Sequence, residues 1–306
     1  MNLSQSSKTM TDPLSDVLNV LGARVTRRTR LEASGQWALN FPALDRLKFV
    51  AVLRGSGWIL LPGRPPQFLT AGDVYLLGRT DFAVASDPAL TPVDGYSYCE
   101  PGCDLVRLGG DETISIAGTV TFERRNADFL LGMLPHSLYV PRSSASSGAM
   151  MTILSLMNDE IERDVIGSEV VSGRLADMLL VEALRAYAGS VDQVKIGWLG
   201  ALVDKRLGRV LRAIHGDIAH PWSVSQLAGV AGMSRAAFSA DFTRRVGQSP
   251  LAYVRSWRLT IARAALGNGK QTVASVANNV GYASQSAFAQ AFKAAFGIPP
   301  KADSRS

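Results

Sequence analysis

Ser223 to Pro300 contains SVSQLAGVAGMSRAAFSADFTRRVGQSP, ending at Pro250, and then TVASVANNVGYASQSAFAQAFKAAFGIPP, starting at Thr272. The two stretches are one pattern written twice. Val224, Leu227, Ala228, Gly232, Phe238, Phe242, Gly247 and Pro250 recur as Val273, Val276, Ala277, Gly281, Phe288, Phe292, Gly297 and Pro300. The offset is 49 residues as far as the glycines and 50 from the phenylalanines onward, so the second copy carries one more residue in its turn. An insertion there leaves the helices on either side intact. Apolar residues at i, i+3 and i+4 ahead of each glycine predict a short amphipathic helix. Ser223, three residues before Gln226, fits a capping box, and Ser234, Thr272 and Ser284 stand where N-caps belong.

A short helix, a glycine turn and a second amphipathic helix are the parts of a helix-turn-helix unit, whose second helix lies in the major groove of double-stranded DNA. With Phe238 and Phe242 inward, the first such helix presents Arg235, Ala236, Ser239, Ala240, Thr243 and Arg244. Arg235, Arg244 and Arg245 suit phosphates, and the small residues near the helix start suit base edges. In the second copy Phe288, Phe292 and Phe296 form the inner face, leaving Gln285, Ser286, Ala289, Gln290 and Lys293 outside. Pro250, Leu251, Val254, Arg258, Ile261 and Ala265 predict one connecting helix ending near Gly267. A rigid connector fixes the separation of the two readers; successive major-groove segments on one face of DNA lie about 34 Å apart.

Charge follows the repeat. The chain of 306 residues has a net charge of +6, yet Ala201–Ser306 holds 14 Lys or Arg against 4 Asp or Glu, while the first 200 residues hold 18 against 22. A basic C-terminal module beside a near-neutral N-terminal one fits a polyanion partner on the C-terminal side. Apolar runs such as Trp58–Leu61 and Met178–Val181 are far shorter than a membrane span, which predicts no membrane partner. The opening MNLSQSSKTMTDPLSDV lacks the features of a secretory signal, and the expected location is cytoplasmic.

Upstream, Leu14, Val17, Leu18 and Leu21 after Asp12 and Pro13 predict a leading helix. From Gly22 to Val140 the chain breaks into short runs separated by Gly and Pro: 36–41, 48–54, 57–61, 73–78, 82–86, 94–99, 104–108 and 113–123. That spacing predicts a β-sandwich or barrel. Trp37, Phe49, Trp58, Tyr75 and Phe82 either line a ligand cavity in it or fill its core. Cys99 and Cys103 are either an oxidant switch or two ordinary thiols. Residues 150–188 predict two helices broken near Gly167, the second apolar on more than one face. They pack on the barrel's outer wall or form a helix–helix dimer interface.

FVAVLRGSGW (49–58), with Leu69 to Gly78, resembles the cupin jelly roll, in which a Gly-Asp turn leads into a strand near the barrel mouth. Metal-binding cupins use histidines there. His136, His215 and His220 all lie outside 22–132, so neither metal nor cofactor is expected and the three are assigned to packing or surface. The doubled motif resembles the DNA-binding domain of the AraC/XylS transcriptional regulators. Together with GWLGALVDKRLGRVLRAIH (197–215) and the barrel, it is similar to the subgroup with an N-terminal cupin sensor. The resemblance implies an α+β two-domain chain: a leading segment (1–22), a cupin-like sensor (23–140), a helical dimerisation region (141–197) and a double helix-turn-helix domain (198–306).

It further implies a non-enzymatic one-component regulator that acts as a homodimer, answers a small-molecule or redox effector, and meets RNA polymerase if it activates. Many family members place Arg two residues after the recognition-helix Phe. Ala240 and Gln290 occupy those positions here, and Gln290 suits adenine whereas Ala240 suits a thymine methyl or DNA shape. The competing reading is a cupin-type binding protein or enzyme with a basic tail.

Overall fold

The computed structural model describes residues 12–44, 46–98, 105–122, 127–144, 147–163, 165–189, 197–267, 269 and 271–303. They form two units. One holds residues 23–122 and 131–199; the other holds 200–306 together with 1–22 and 123–130.

The first unit is built on two sheets. Its strands are β1 (Arg24–Ala33), β2 (Ala38–Phe41), β3 (Leu47–Arg54), β4 (Ser56–Leu60), β5 (Gln67–Thr70), β6 (Val74–Leu77), β7 (Phe82–Ala85), β8 (Val93–Asp94), β9 (Leu105–Leu108), β10 (Thr113–Thr121) and β11 (Ser137–Val140). One sheet runs β11-β6-β3-β10-β1-β9 and the other β5-β4-β7-β2-β8. Between them lie two apolar clusters. Val50, Val52, Ile59, Leu69, Leu77 and Phe82 form the larger, and Leu31, Trp37, Leu39 and Val106 the smaller. Asp73 fixes the Gly72-Asp73 turn by accepting from the backbone N–H of Thr70 at 2.8 Å and of Arg142 at 2.8 Å.

Sequence patterning missed β1, β5 and β11. In β1, RVTRRTRLEA, the buried Arg30 is tolerated in a central strand because it is partnered, reaching Asn158 at 3.0 Å and Glu32 at 2.9 Å. Residues 94–99 were expected as a strand, but after β8 the chain tightens into a 3-10 turn, Gly95–Tyr98. Asp94 accepts from the N–H of Tyr96 at 3.0 Å, and a Cβ on Gly95 would meet the Phe41 ring at 2.4 Å.

Helices α2 (Ala127–Leu131), α3 (Ser147–Arg163) and α4 (Ser168–Ala188) come next in the chain after α1 (Pro13–Val20). Helices α3 and α4 pack on each other and on the sheet containing β1 and β3. The break expected near Gly167 is there, with Gly167 as the left-handed N-cap of α4 at φ 89°.

The second unit contains α6 (Leu207–Gly216), α7 (Val224–Ala231), α8 (Arg235–Val246), α9 (Pro250–Gly267), α10 (Val273–Asn279), α11 (Gln285–Phe296) and α12 (Pro300–Asp303); α5 (Gly197–Val203) straddles the boundary. The connecting helix was expected where α9 lies. The sequence reading set residues 1–22 apart as a leading segment; α1 instead packs on α6 and α9. Asp16 of α1 comes within 3.4 Å of His215 Nδ1, whose other nitrogen bonds the Tyr253 hydroxyl at 2.8 Å. Phe129 of α2 lies against Trp257, ring centroids 5.1 Å apart, and His215 stacks on the same indole at 4.6 Å.

Candidate nucleic-acid interface and ligand cavity

Each recognition helix is set by the same devices. Ser223 and Gln226 form a reciprocal capping box at the start of α7. Gly232 ends that helix at φ 65°, Ser234 caps α8 by accepting from the Ala237 N–H at 3.3 Å, and Gly247 closes α8 at φ 83°. In the second copy Thr272, Gly281, Ser284 and Gly297 take the corresponding roles. Phe238, Phe242, Phe288 and Phe292 are completely buried, so the register of both helices is locked by two large rings a turn apart. Phe296, expected on that inner face, is half-buried and packs over the Arg263 guanidinium at 4.4 Å.

On α8, Arg235, Ala236, Ala240 and Arg244 are exposed and Ser239 is half-buried. Arg245 is turned inward, 3.3 Å from Asp241 and 3.5 Å from Asp204. Arg244 also pairs with Asp241, so one carboxylate draws on two of the three arginines expected at phosphates. On α11, Gln285, Ser286, Gln290 and Lys293 are exposed and Ala289 is half-buried.

Arg258, half-buried on α9, is a hydrogen-bonding residue within the protein. Its guanidinium donates to the carbonyls of Ile218 at 2.9 Å, His220 at 2.7 Å, Ala219 at 3.3 Å and Gly281 at 3.2 Å. It ties the turn of the second helix-turn-helix to the segment entering the first. Arg263 and Asp303 form a buried pair at 3.0 Å that anchors α12, which the sequence reading did not resolve. Trp198 and Trp257 are buried, and Trp222 is half-buried against His220.

The sensor unit holds a partly open cavity of about 160 Å³ lined by residues of both apolar clusters. Of the five aromatics singled out in sequence, Phe49 and Phe82 line it. Trp37 borders a separate, open depression, Trp58 packs against Phe68, and Tyr75 stacks on Tyr139. The polar lining went unrecognised: Arg46, Lys48 and Tyr96 with the hydroxyls of Thr26, Thr29, Ser115 and Thr119. A signal was present, since Lys48 shares an inward face with Val50 and Val52 in an otherwise apolar strand. Cys99 and Cys103 lie outside the described residues.

Residues 12–189 match a cupin family profile and residues 227–306 a helix-turn-helix domain profile. A putative AraC-like transcription regulator of Streptomyces lividans is 37% identical over 94% of this chain and 96% of its own. The chain belongs to the AraC-like transcription regulators. As an AraC-like regulator it joins a cupin domain to a helix-turn-helix DNA-binding domain. The HTH-type transcriptional regulator AlkR of Acinetobacter baylyi is 29% identical over 95% of this chain and 98% of its own. Among solved structures, ToxT from Vibrio cholerae O395 spans 92% of this chain and 96% of its own at 13% identity and a TM-score of 0.37. No helix among the described residues is long and apolar enough to cross a membrane.

Proposed function

We propose that this AraC-like regulator reads two adjacent major-groove segments with α8 and α11, as a homodimer whose cupin unit binds a small effector. The observation that carries the reading is the polar, exposed face each helix keeps opposite its pair of buried phenylalanines. Gln285, Ser286, Gln290 and Lys293 serve the second segment; Arg235, Ala236, Ser239, Ala240 and Arg244 serve the first, with Arg245 held back by Asp204. Relatives that are transcription regulators support a non-enzymatic role in the cytoplasm, where DNA and RNA polymerase are met.

Dimerisation is assigned to α3 and α4. Their buried residues are spent on the sheet, yet Val170 (68% exposed), Val171 (45%) and Met178 (55%) leave an apolar stripe on α4.

The test uses fragments of genomic DNA selected by the purified protein. Gln290→Ala should cost about 1–3 kcal/mol and relax preference at one base pair, whereas Arg244→Ala should weaken all sequences and lower the salt slope by about 1 or less, because Asp241 already draws on that charge. Equal losses on every sequence for both variants would overturn the assignment.

A further inference from the structure

The sensor cavity has a chemistry of its own, and we infer that it takes a small organic monoanion, a carboxylate on an apolar body of about ten heavy atoms or fewer. The inference rests on the effector reading above and names the class of molecule.

Size decides first. A cavity of about 150 Å³ lined by aliphatic and aromatic side chains accommodates a benzene ring, and the volume here is about 160 Å³. A six-membered ring or a short alkyl chain with one carboxylate fits inside; the rest of a long acyl chain would have to leave through the open side and gain nothing from the walls. The walls agree with this, since Leu31, Leu39, Val50, Val84, Val106 and Ala117 supply hydrocarbon from both sheets.

Charge decides next. Lys48 reaches into the cavity from β3, and its ammonium lies 4.9 Å from the ring of Tyr96, 5.2 Å from that of Phe82 and 5.6 Å from that of Phe41. It donates to the Tyr96 hydroxyl. Three ring faces hold the ammonium at the cavity wall, where water is partly excluded and Coulomb attraction to an anion is stronger than in bulk. Arg46, exposed two residues earlier, adds a second positive charge at the rim. No carboxylate lines the cavity among the described residues. The hydroxyls of Thr26, Thr29, Ser115 and Thr119 offer further donors, so a carboxylate near Lys48 finds hydrogen bonds as well as charge. A neutral or cationic molecule of the same shape gains only the apolar wall.

Calorimetric titration and thermal shift of the full-length protein test this with benzoate, hexanoate, hexadecanoate and neutral benzamide. Benzoate and hexanoate should bind and raise the melting temperature, benzamide at least tenfold more weakly, and hexadecanoate no more tightly than hexanoate. Lys48→Met should remove the preference for the acid over the amide, and Ala117→Leu, which fills the space from β10, should abolish binding of every compound that binds the wild type while circular dichroism stays unchanged. Preferential binding of benzamide, or acid binding unaffected in both variants, overturns the monoanion assignment. In the first case the barrel still binds a small molecule and the effector reading stands. If neither acid nor amide binds and Ala117→Leu leaves promoter regulation intact in cells, both the assignment and the effector reading fail together.

Discussion

Replacing Arg258 with Met should uncouple the two helix-turn-helix units without touching either recognition helix. The side chain makes four hydrogen bonds, to Ile218, Ala219, His220 and Gly281, at 2.7–3.3 Å. A bond from a charged donor contributes about 1.5–3 kcal/mol. Arg258 is only half-buried, so water replaces part of what is lost, and the two shortest bonds, to His220 and Ile218, dominate. That gives a loss of about 3–4 kcal/mol, at the upper end for a single substitution. Chemical denaturation followed by helical circular dichroism reads it on the transition of the C-terminal helices. Arg258→Lys should recover less than half, because an ammonium lacks the planar fork that spans several carbonyls. On DNA, affinity for selected fragments should fall about tenfold or more under folding conditions, while nonspecific binding changes little, since only the former needs both readers held in place. A loss below about 1 kcal/mol, or full rescue by Lys, would refute the clamp.

Three further outcomes follow from the same unit. Gly281→Ala places a Cβ 2.5 Å from the Ala219 carbonyl at φ 80° and should cost about 3 kcal/mol, against about 1 for Gly232→Ala, where the nearest atom is 4.0 Å away; equal denaturation midpoints would contradict this. Burial holds the His215 pKa below its ordinary 6.5 despite Asp16, so the folded state binds fewer protons than the unfolded one: stability is complete above pH 6.5 and lost as pH falls from there toward the depressed folded value. His215→Gln should flatten that limb of the stability profile, and an unchanged slope below neutrality would remove His215 as its source. Asp241→Asn releases Arg244 and relaxes Arg245, so binding to any DNA should tighten and the salt slope steepen by about 1; a slope identical to wild type would mean that neither arginine reaches a phosphate.

The helical half was legible because its signals are local. Caps, positive-φ glycines and phenylalanines four apart act within a turn or two of themselves, so Ser234, Gly247 and Phe238 carry their roles on their face. The sensor half was legible in class and less so in parts. β1 was invisible because a strand is recognised by alternating apolar residues, and its Arg30 meets Asn158 and Glu162, more than a hundred residues away, while Glu32 pairs with Arg30 and Arg107. The same distance problem hid the cavity: Lys48 meets Tyr96 and Phe82 only once the two sheets have packed together, and Trp58 and Tyr75 lie against Phe68 and Tyr139.

The two copies of the motif are alike where packing is concerned and unlike where a duplex would be met, and that division is informative. Phe238 and Phe288, Phe242 and Phe292, Gly247 and Gly297 are interchangeable, whereas α8 carries Arg235, Asp241, Arg244 and Arg245 and α11 carries Gln285, Gln290 and Lys293. A carboxylate within reach of two arginines lowers the charge α8 offers to phosphates, and α11 has no acid at all. Amides hydrogen-bond base edges in fixed geometry, while a half-neutralised arginine cluster contributes mainly orientation. Sequence discrimination should therefore weigh on α11 and general affinity on α8. Arg258 then matters to both, because a precise reader is useful only while its partner holds it in the groove.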